Sequence, residues 1–279
     1  MQVFETKDRL SIYIKQCKER GEVVGFVPTM GALHEGHISL VKQAKESCNV
    51  VVVSIFVNPT QFNDPKDLER YPRTLENDIK LLESVGCDAV LTPSVEEIYP
   101  EPDTRQFDFG YIGEIMEGPK RPGHFNGVAQ VVSRLFDIVN PDRAFFGMKD
   151  FQQIAIIRSM VSQLDYNIDI VSCPIVRESD GLAMSSRNRL LSAEHRATAP
   201  NIHRILSEAV KIHNTMSVAE LKNWIIESIN SNPLLEVEYV EIVDEKSLKI
   251  TEEWSEEGSK VICITVYAGE IRLIDNIII

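Results

Sequence analysis

The residues best suited to handling phosphate are two histidines three positions apart, in Met30-Gly31-Ala32-Leu33-His34-Glu35-Gly36-His37. The apolar run Val23 to Pro28 before them reads as a buried strand, and a helix from His37 to Glu46 follows. In an open parallel sheet, ligands sit at the carboxyl ends of strands. A helix that begins there adds free N–H groups and a partial positive charge. Gly31 and Gly36 allow the backbone close to a phosphate. His34 and His37 project the same way once the helix has begun, and imidazoles donate well to phosphate oxygens near neutral pH. Two blander assignments stand beside this one. His-x-x-His is also half of a metal site, but no third ligand cluster accompanies it. The rings could equally be satisfied structural groups, which is the usual fate of a lone histidine.

Three further groups fall at comparable corners. Met184-Ser185-Ser186-Arg187 follows the turn signal Asp180-Gly181 and offers two hydroxyls and a guanidinium. Such a loop can close over phosphates, although most Ser- and Arg-containing loops are merely solvated. Phe146-Gly147-Met148-Lys149-Asp150-Phe151-Gln152-Gln153 lies between a strand and a helix. Lys149 brings a cation there, and Asp150 is placed to cap the helix. Phe56-Val57-Asn58-Pro59-Thr60-Gln61-Phe62 follows the strongest strand, with Asn58 and Gln61 as neutral amides for a carboxylate or hydroxyl ligand. Turn chemistry alone also explains Asn58.

The elements that position these groups are legible in outline. Val50 to Val57 is a β-branched run typical of a strand buried on both faces. Asp88 to Leu91, Ala144 to Phe146 and Ile168 to Cys173 read as further strands. Helical patterns fall at Thr74 to Val85 (stripe Leu75, Ile79, Leu82), Gly127 to Val139 and Phe151 to Leu164. The alternation predicts an α/β fold: a Rossmann-like, doubly wound parallel sheet over residues 1–175. Tyr99 to Asn126, rich in proline and glycine, breaks the rhythm as a long excursion of the kind that carries function. From residue 176 to 279 the character changes. A helix begins at Ser192 and is interrupted at Pro200, and Ser217-Val-Ala-Glu220 is a capping box. Val237 to Val243, Lys260 to Tyr267 and Ile271 to Ile277 read as strands, the last two joined by Ala268-Gly269-Glu270. This predicts a smaller α+β domain with an antiparallel sheet, and a candidate lid.

Composition bounds the function. The chain has 279 residues, with 43% hydrophobic and 25% charged, enough for a large core. A net charge of −13 argues against a nucleic-acid partner, which needs a basic face. Cys17, Cys48, Cys87, Cys173 and Cys263 are scattered without metal or redox spacing and read as reduced thiols in a cytoplasmic protein. Met1 to Leu10 has no apolar signal core, and no apolar run approaches the roughly 20 residues that span a bilayer.

The motifs resemble a known family. His34-Glu35-Gly36-His37 is similar to the HIGH signature of the nucleotidyltransferase superfamily, and Met184-Ser185-Ser186-Arg187 to its KMSKS-type loop. More narrowly, seven segments resemble the pantothenate synthetase (pantoate–β-alanine ligase) family. They are Val27–His37, Phe56–Phe62, Tyr71–Arg73, Arg121–Phe125, Phe145–Asp150, Gly181–Asn188 and Arg272–Asn276, in family order. The resemblance implies that ATP, with Mg²⁺, activates pantoate as pantoyl adenylate with loss of pyrophosphate. β-Alanine then displaces AMP to give pantothenate.

By the same resemblance, Met30, Gly31, Ala32, Leu33, His34, Glu35, Gly36 and His37 line the ATP site. Gly147, Met148, Lys149, Asp150, Val176, Met184, Ser185, Ser186 and Arg187 complete it. His37 matches the position usually named catalytic. We expect it to stabilise charge at the α-phosphate, because pantoate already arrives as a carboxylate. His34 contacts phosphate, Lys149 stabilises the adenylation transition state, and Gln61 and Gln153, with Asn58, bind pantoate. Asp78 is a candidate Mg²⁺ contact, or else a surface helix residue. A homodimer is implied as well. Two departures stand out. Met148 replaces a frequent charged or polar residue and is expected to face outward. Gln130 replaces a threonine. Arg121 and His124 match the family without an evident role. Rival classes are a dinucleotide-forming adenylyltransferase, which would lack the Gln61/Gln153 pair, a tRNA-charging enzyme and a non-catalytic nucleotide-binding module.

Overall fold

The structure is a computed structural model describing residues 1–63 and 65–279. The chain divides into two compact units, residues 1–148 with 152–174, and residues 149–151 with 175–279.

The first unit follows the order β1 (Gln2–Phe4), α1 (Lys7–Glu19), β2 (Val24–Thr29), α2 (Glu35–Ser47), β3 (Val50–Ile55), α3 (Pro65–Arg70), α4 (Leu75–Ser84) and β4 (Ala89–Leu91). It continues through α5 (Val95–Ile98), α6 (Glu117–Lys120), α7 (His124–Val139), β5 (Arg143–Gly147), α8 (Phe151–Gln163) and β6 (Asp169–Cys173). The strands form one six-stranded sheet in the order β1-β4-β3-β2-β5-β6, paired in parallel throughout. Side chains alternate across a strand, so both faces must be apolar when helices cover both. Phe26, Val52, Leu91, Ala144 and Phe146 face α1, α7 and α8 on one side. Val27, Val51, Val53, Val90 and Phe145 face α2 and α4 on the other. Successive crossovers run from β2 outward to β3 and β4, then return to place β5 on the far side of β2. That reversal is a topological switch point, and ligands bind beyond the carboxyl ends of strands at such a point.

The structure departs from the local sequence pattern in several places. β1 and α1 go beyond the elements read from the sequence; Leu10, Ile14 and Cys17 of α1 are buried in the core. In α4 the inward stripe is not Leu75, Ile79 and Leu82. Leu75 is 44% exposed and Asp78 takes the inward place beside Leu82. Met148 does not face outward but packs against the core. Gln130, on α7, is buried and its amide donates to Asp103 O and Arg105 O, so it ties down the excursion. Asp150 closes a 3-10 turn, Met148–Asp150, that runs directly into α8, rather than standing alone as a capping residue.

The second unit contains α9 (Ala193–Thr198), α10 (Asn201–Ile212), α11 (Val218–Asn230), β7 (Leu235–Asp244), β8 (Lys260–Ala268) and β9 (Ile271–Ile278). Pro200 separates α9 from α10, and Ser217 and Glu220 form the capping box at the start of α11. The strands form an antiparallel sheet in the order β7-β8-β9, with Ala268 paired to Ile271 across the Gly269-Glu270 turn. Ile202, Ile205 and Leu206 of α10 and Leu221, Ile225 and Ile229 of α11 bury one face of it. Among the described residues, no helix is long and apolar enough to cross a membrane.

Candidate active site

β2 delivers the chain into Met30–His34, and α2 begins at Glu35. Gly31 and Ala32 both have positive φ, 81° and 50°, which turn the chain sharply out of the strand. Gly31 has no Cβ for a second reason: one would lie 3.0 Å from Ile55 Cγ2 and 3.1 Å from Asp78 Oδ2. His34 is the N-cap of α2 and His37 its third helical residue. Gly36 N–H donates to His34 Nδ1 at 3.1 Å, and His34 N–H donates to His37 Nδ1 at 3.3 Å. The motif is therefore a capping box built from two imidazoles. A backbone N–H can only donate, so each Nδ1 is an acceptor and each neutral ring carries its proton on Nε2. The rings lie against one another, centroids 4.1 Å apart. Two Nε2–H donors are thereby fixed at a helix N-terminus above the switch point.

Asp78 is neither a surface residue nor available to a metal. It is 2% exposed, and its two carboxylate oxygens accept from Ala32 N–H and Leu33 N–H, each at 2.9 Å. Thr74 Oγ1 donates to it at 3.0 Å. One acceptor bond on each oxygen holds the loop that carries His34. Among the described residues no group of three His, Cys, Asp or Glu could hold a metal ion. Buried and engaged by three donors on its two oxygens, Asp78 fits a brace for the histidine loop and not the Mg²⁺ contact expected of it.

Gln61 and Gln153 follow β3 and β5, the two strands flanking β2. Gln61 ends a 3-10 turn, Pro59–Gln61, and its amide donates to Met30 Sδ at 2.9 Å. Gln153, in the first turn of α8, is half-buried, and among the described residues its amide has no hydrogen-bond partner. Asn58 stands one layer back. It is 1% exposed; its oxygen accepts from Tyr99 Oη at 3.0 Å and Thr60 Oγ1 at 3.1 Å. Its amide donates to Gly127 O and to Gln61 Oε1. With both ends engaged it orients Gln61 and is not itself a substrate ligand, which corrects the sequence reading.

The N-terminal turn of α7 is the mould for this loop. His124 Nδ1 lies 2.9 Å from Gln61 O, so it must carry the proton there. Gly127 lets the helix press on the turn, since a Cβ would sit 2.6 Å from Thr60 O. Gln152 Oε1 accepts from Glu117 N–H, and its amide donates to Ile112 O and Ile115 O. Sequence motifs contain His124 and Gln152 but give neither a role. Their partners lie 63 and 35 residues away, beyond any periodic signal. Arg121 lies 3.7 Å from Glu117, an i,i+4 pair.

Lys149 and the Met184–Arg187 segment belong to the second unit. The Lys149 side chain is 19% exposed, its Nζ 3.9 Å from the Asp150 carboxylate. Residues 176–184 form a tight antiparallel loop. Met184 N–H donates to Val176 O, Arg177 bridges Ala183, and Gly181 N–H donates to Glu178 O. Arg196 ties its tip to α9 through Asp180 and Glu178, each at 2.6 Å, and holds the Asp180 carboxyl below the usual range. Ser185 Oγ caps the 3-10 helix Ser186–Leu190 by accepting from Arg187 N–H, and Ser186 is buried. The two hydroxyls therefore differ in role: one orders the backbone ahead of Arg187, and the other is enclosed.

A family model described as Pantoate-beta-alanine ligase matches residues 2–278. A pantothenate synthetase of Porphyromonas gingivalis (strain ATCC BAA-308 / W83) is 55% identical over 277 residues, 99% of each chain. The crystal structure of pantothenate synthetase from Thermus thermophilus is similar with a TM-score of 0.91 and 42% identity, covering 99% of each chain. A pantoate-beta-alanine ligase from Francisella tularensis, complexed with beta-gamma ATP and beta-alanine, is similar with a TM-score of 0.83 and 35% identity, over 99% of this chain and 97% of that one. The chain belongs to the pantoate–β-alanine ligase family.

Proposed function

We propose that the chain makes pantothenate in two half-reactions that use ATP. A pantoate carboxylate oxygen attacks the α-phosphorus and pyrophosphate leaves. The β-alanine amine then attacks the acyl carbon, loses a proton and displaces AMP. The observation that carries this reading is the imidazole capping box, His34 and His37, at the carboxyl end of the central strand β2. Its two Nε2–H groups are pre-positioned donors for phosphate oxygens, and such electrostatic preorganisation is the main requirement of phosphoryl-type transfer. His37 therefore stabilises charge at the α-phosphate rather than removing a proton, since its Nδ1 is occupied by the His34 N–H.

Met30 to Gly36, Gly147 to Asp150, Val176 and Met184 to Arg187 serve the nucleotide. Lys149 adds a cation for the charge that builds in adenylation. Gln61 and Gln153 bind pantoate. In support, both emerge from strands flanking β2, and Gln61 is oriented by Asn58 and His124. The Francisella neighbour, complexed with beta-gamma ATP and beta-alanine, supports the choice of ATP and β-alanine. Mg²⁺ is assigned no protein ligand here and no step. We place the enzyme in the cytoplasm, in keeping with five free cysteines, and assign it a homodimer by family resemblance.

The test mixes protein, ATP and Mg²⁺ with pantoate and measures pyrophosphate; β-alanine is then added and AMP and pantothenate are measured. Pantoate-dependent pyrophosphate release followed by amine-dependent AMP release is expected. Pyrophosphate release that ignores pantoate would overturn the assignment. Sedimentation equilibrium at a monomer mass would remove the dimer.

A further inference from the structure

Two adjacent polar residues, Asp275 and Asn276, lie buried in the middle of β9, within Ile271-Arg-Leu-Ile-Asp-Asn-Ile-Ile278. They are 5% and 3% exposed. Buried polar groups cost stability unless partnered, so such a buried pair within a strand calls for a task. β9 is an edge strand of its sheet, which leaves backbone groups to be satisfied. The partners are specific. Arg177 meets Asp275 in a two-pronged ion pair, Nη1 to Oδ2 at 2.7 Å and Nη2 to Oδ1 at 3.0 Å. The same guanidinium donates to Asn276 O at 3.3 Å and to Gly181 O at 3.2 Å. Asn276 Nδ2 then donates to Lys149 O at 3.1 Å, across 127 residues of chain.

We propose that Asn276 is a positioning residue for Lys149, and that the Arg177–Asp275 pair joins it to the base of the 176–187 loop, so that the lysine and the loop are set as one piece. The proposal rests on the reading of Lys149 as the cation of adenylation. A lysine on a long stem delivers its charge to a defined point only if its backbone is fixed. Lys149 lies in the 3-10 turn Met148–Asp150 that leads into α8, and the Asn276 amide of β9 holds its carbonyl there. The two-pronged geometry suits arginine and not lysine at position 177. Asn276 touches no reacting atom in this scheme; it acts through Lys149.

The test is a double-mutant cycle on pantoate-dependent pyrophosphate release. Asn276→Leu keeps the branching and heavy-atom count of the side chain and removes the tether. If it does not fold, as judged by its melting transition, Asn276→Ser serves the same cycle. With Lys149 intact, Asn276→Leu lowers kcat by about tenfold with little change in KM for ATP, the pattern of an interaction lost only in the transition state. In a Lys149→Ala background, which by itself lowers kcat on the order of 10²-fold, adding Asn276→Leu changes kcat less than about twofold. An equal loss in both backgrounds, or no loss in a folded Asn276 variant while Lys149→Ala is crippled, overturns the positioning role alone. Near-normal turnover of Lys149→Ala itself overturns the reading of Lys149 on which the proposal stands.

Discussion

Replacing Asp78 by asparagine tests whether this carboxylate braces the histidine loop or holds a metal. Its oxygens accept two backbone N–H groups at 2.9 Å and the Thr74 hydroxyl at 3.0 Å, in a site 2% exposed. Asparagine keeps one acceptor oxygen and turns an NH₂ group toward a backbone donor. One hydrogen bond to a charged acceptor is lost, worth about 1.5–3 kcal/mol, and a buried N–H loses its carboxylate partner for about 1–3 kcal/mol more. Because the contributions overlap, the expected loss is about 2–4 kcal/mol, a large part of the roughly 5–15 kcal/mol that holds a typical domain folded. The assay is urea unfolding with EDTA and without nucleotide, followed by pyrophosphate-release kinetics. Ala32 holds a φ of 50° beside the brace, so loosening it also misplaces His34 and His37. Turnover falls with stability, and added Mg²⁺ does not restore either. A variant as stable as the parent in EDTA, within about 0.5 kcal/mol, but needing much more Mg²⁺ for activity would refute the brace and restore Asp78 as a metal ligand.

Other expectations follow from the same residues. Asp103 is enclosed by Arg105 and Arg134, and their hydrogen bonds, Arg105 first, hold its carboxyl well below the usual carboxylate range. A carboxyl lowered on folding stabilises the native state above its unfolded value of about 3.9, and that contribution is lost as pH falls through the lower folded value. Because the two arginines it would leave are partly exposed, Asp103→Asn is expected to cost about 1–3 kcal/mol at neutral pH. It should also flatten the decline in stability below about pH 4, read from urea midpoints across pH. Gly127→Ala puts a methyl 2.6 Å from Thr60 O and should cost about 1–3 kcal/mol while raising KM for pantoate more than KM for ATP. Equal rises in both constants would disconnect α7 from the pantoate loop. Gln61→Leu, similar in size, should raise KM for pantoate at least tenfold, about 1.4 kcal/mol, and lower stability by about 1–3 kcal/mol because the buried Asn58 amide loses its Gln61 acceptor.

Most of the strands were legible because their chemistry is local. Val50–Ile55 is buried on both faces, so its sequence is β-branched at every position but Ser54 and needs no context to interpret. The capping box at Ser217 and the break at Pro200 are equally local, and both stand as read. α1 carries only a narrow apolar stripe, Leu10, Ile14 and Cys17, among exposed charges, which made it easy to pass over. In α4 the inward position is an aspartate. Counting apolar residues selected Leu75 instead, because periodicity alone cannot tell a partnered buried carboxylate from an exposed one.

By itself the sequence determined the alternation of the strands and helices after α1, the doubly wound class, the placing of histidines, glutamines and lysine just beyond strand ends, and the family pattern that those motifs share. These depend on spacing of a few residues along the chain, which hydrophobic period and turn chemistry record directly. Only the tertiary structure decided the neighbours: that β2 lies between β3 and β5, that Asp78 grips the histidine loop, that His124 and Asn58 fix Gln61, and that Asn276 tethers Lys149. Each of those links joins positions remote in sequence through a few hydrogen bonds. Their donors and acceptors become partners only when the sheet order and helix packing have brought them within reach.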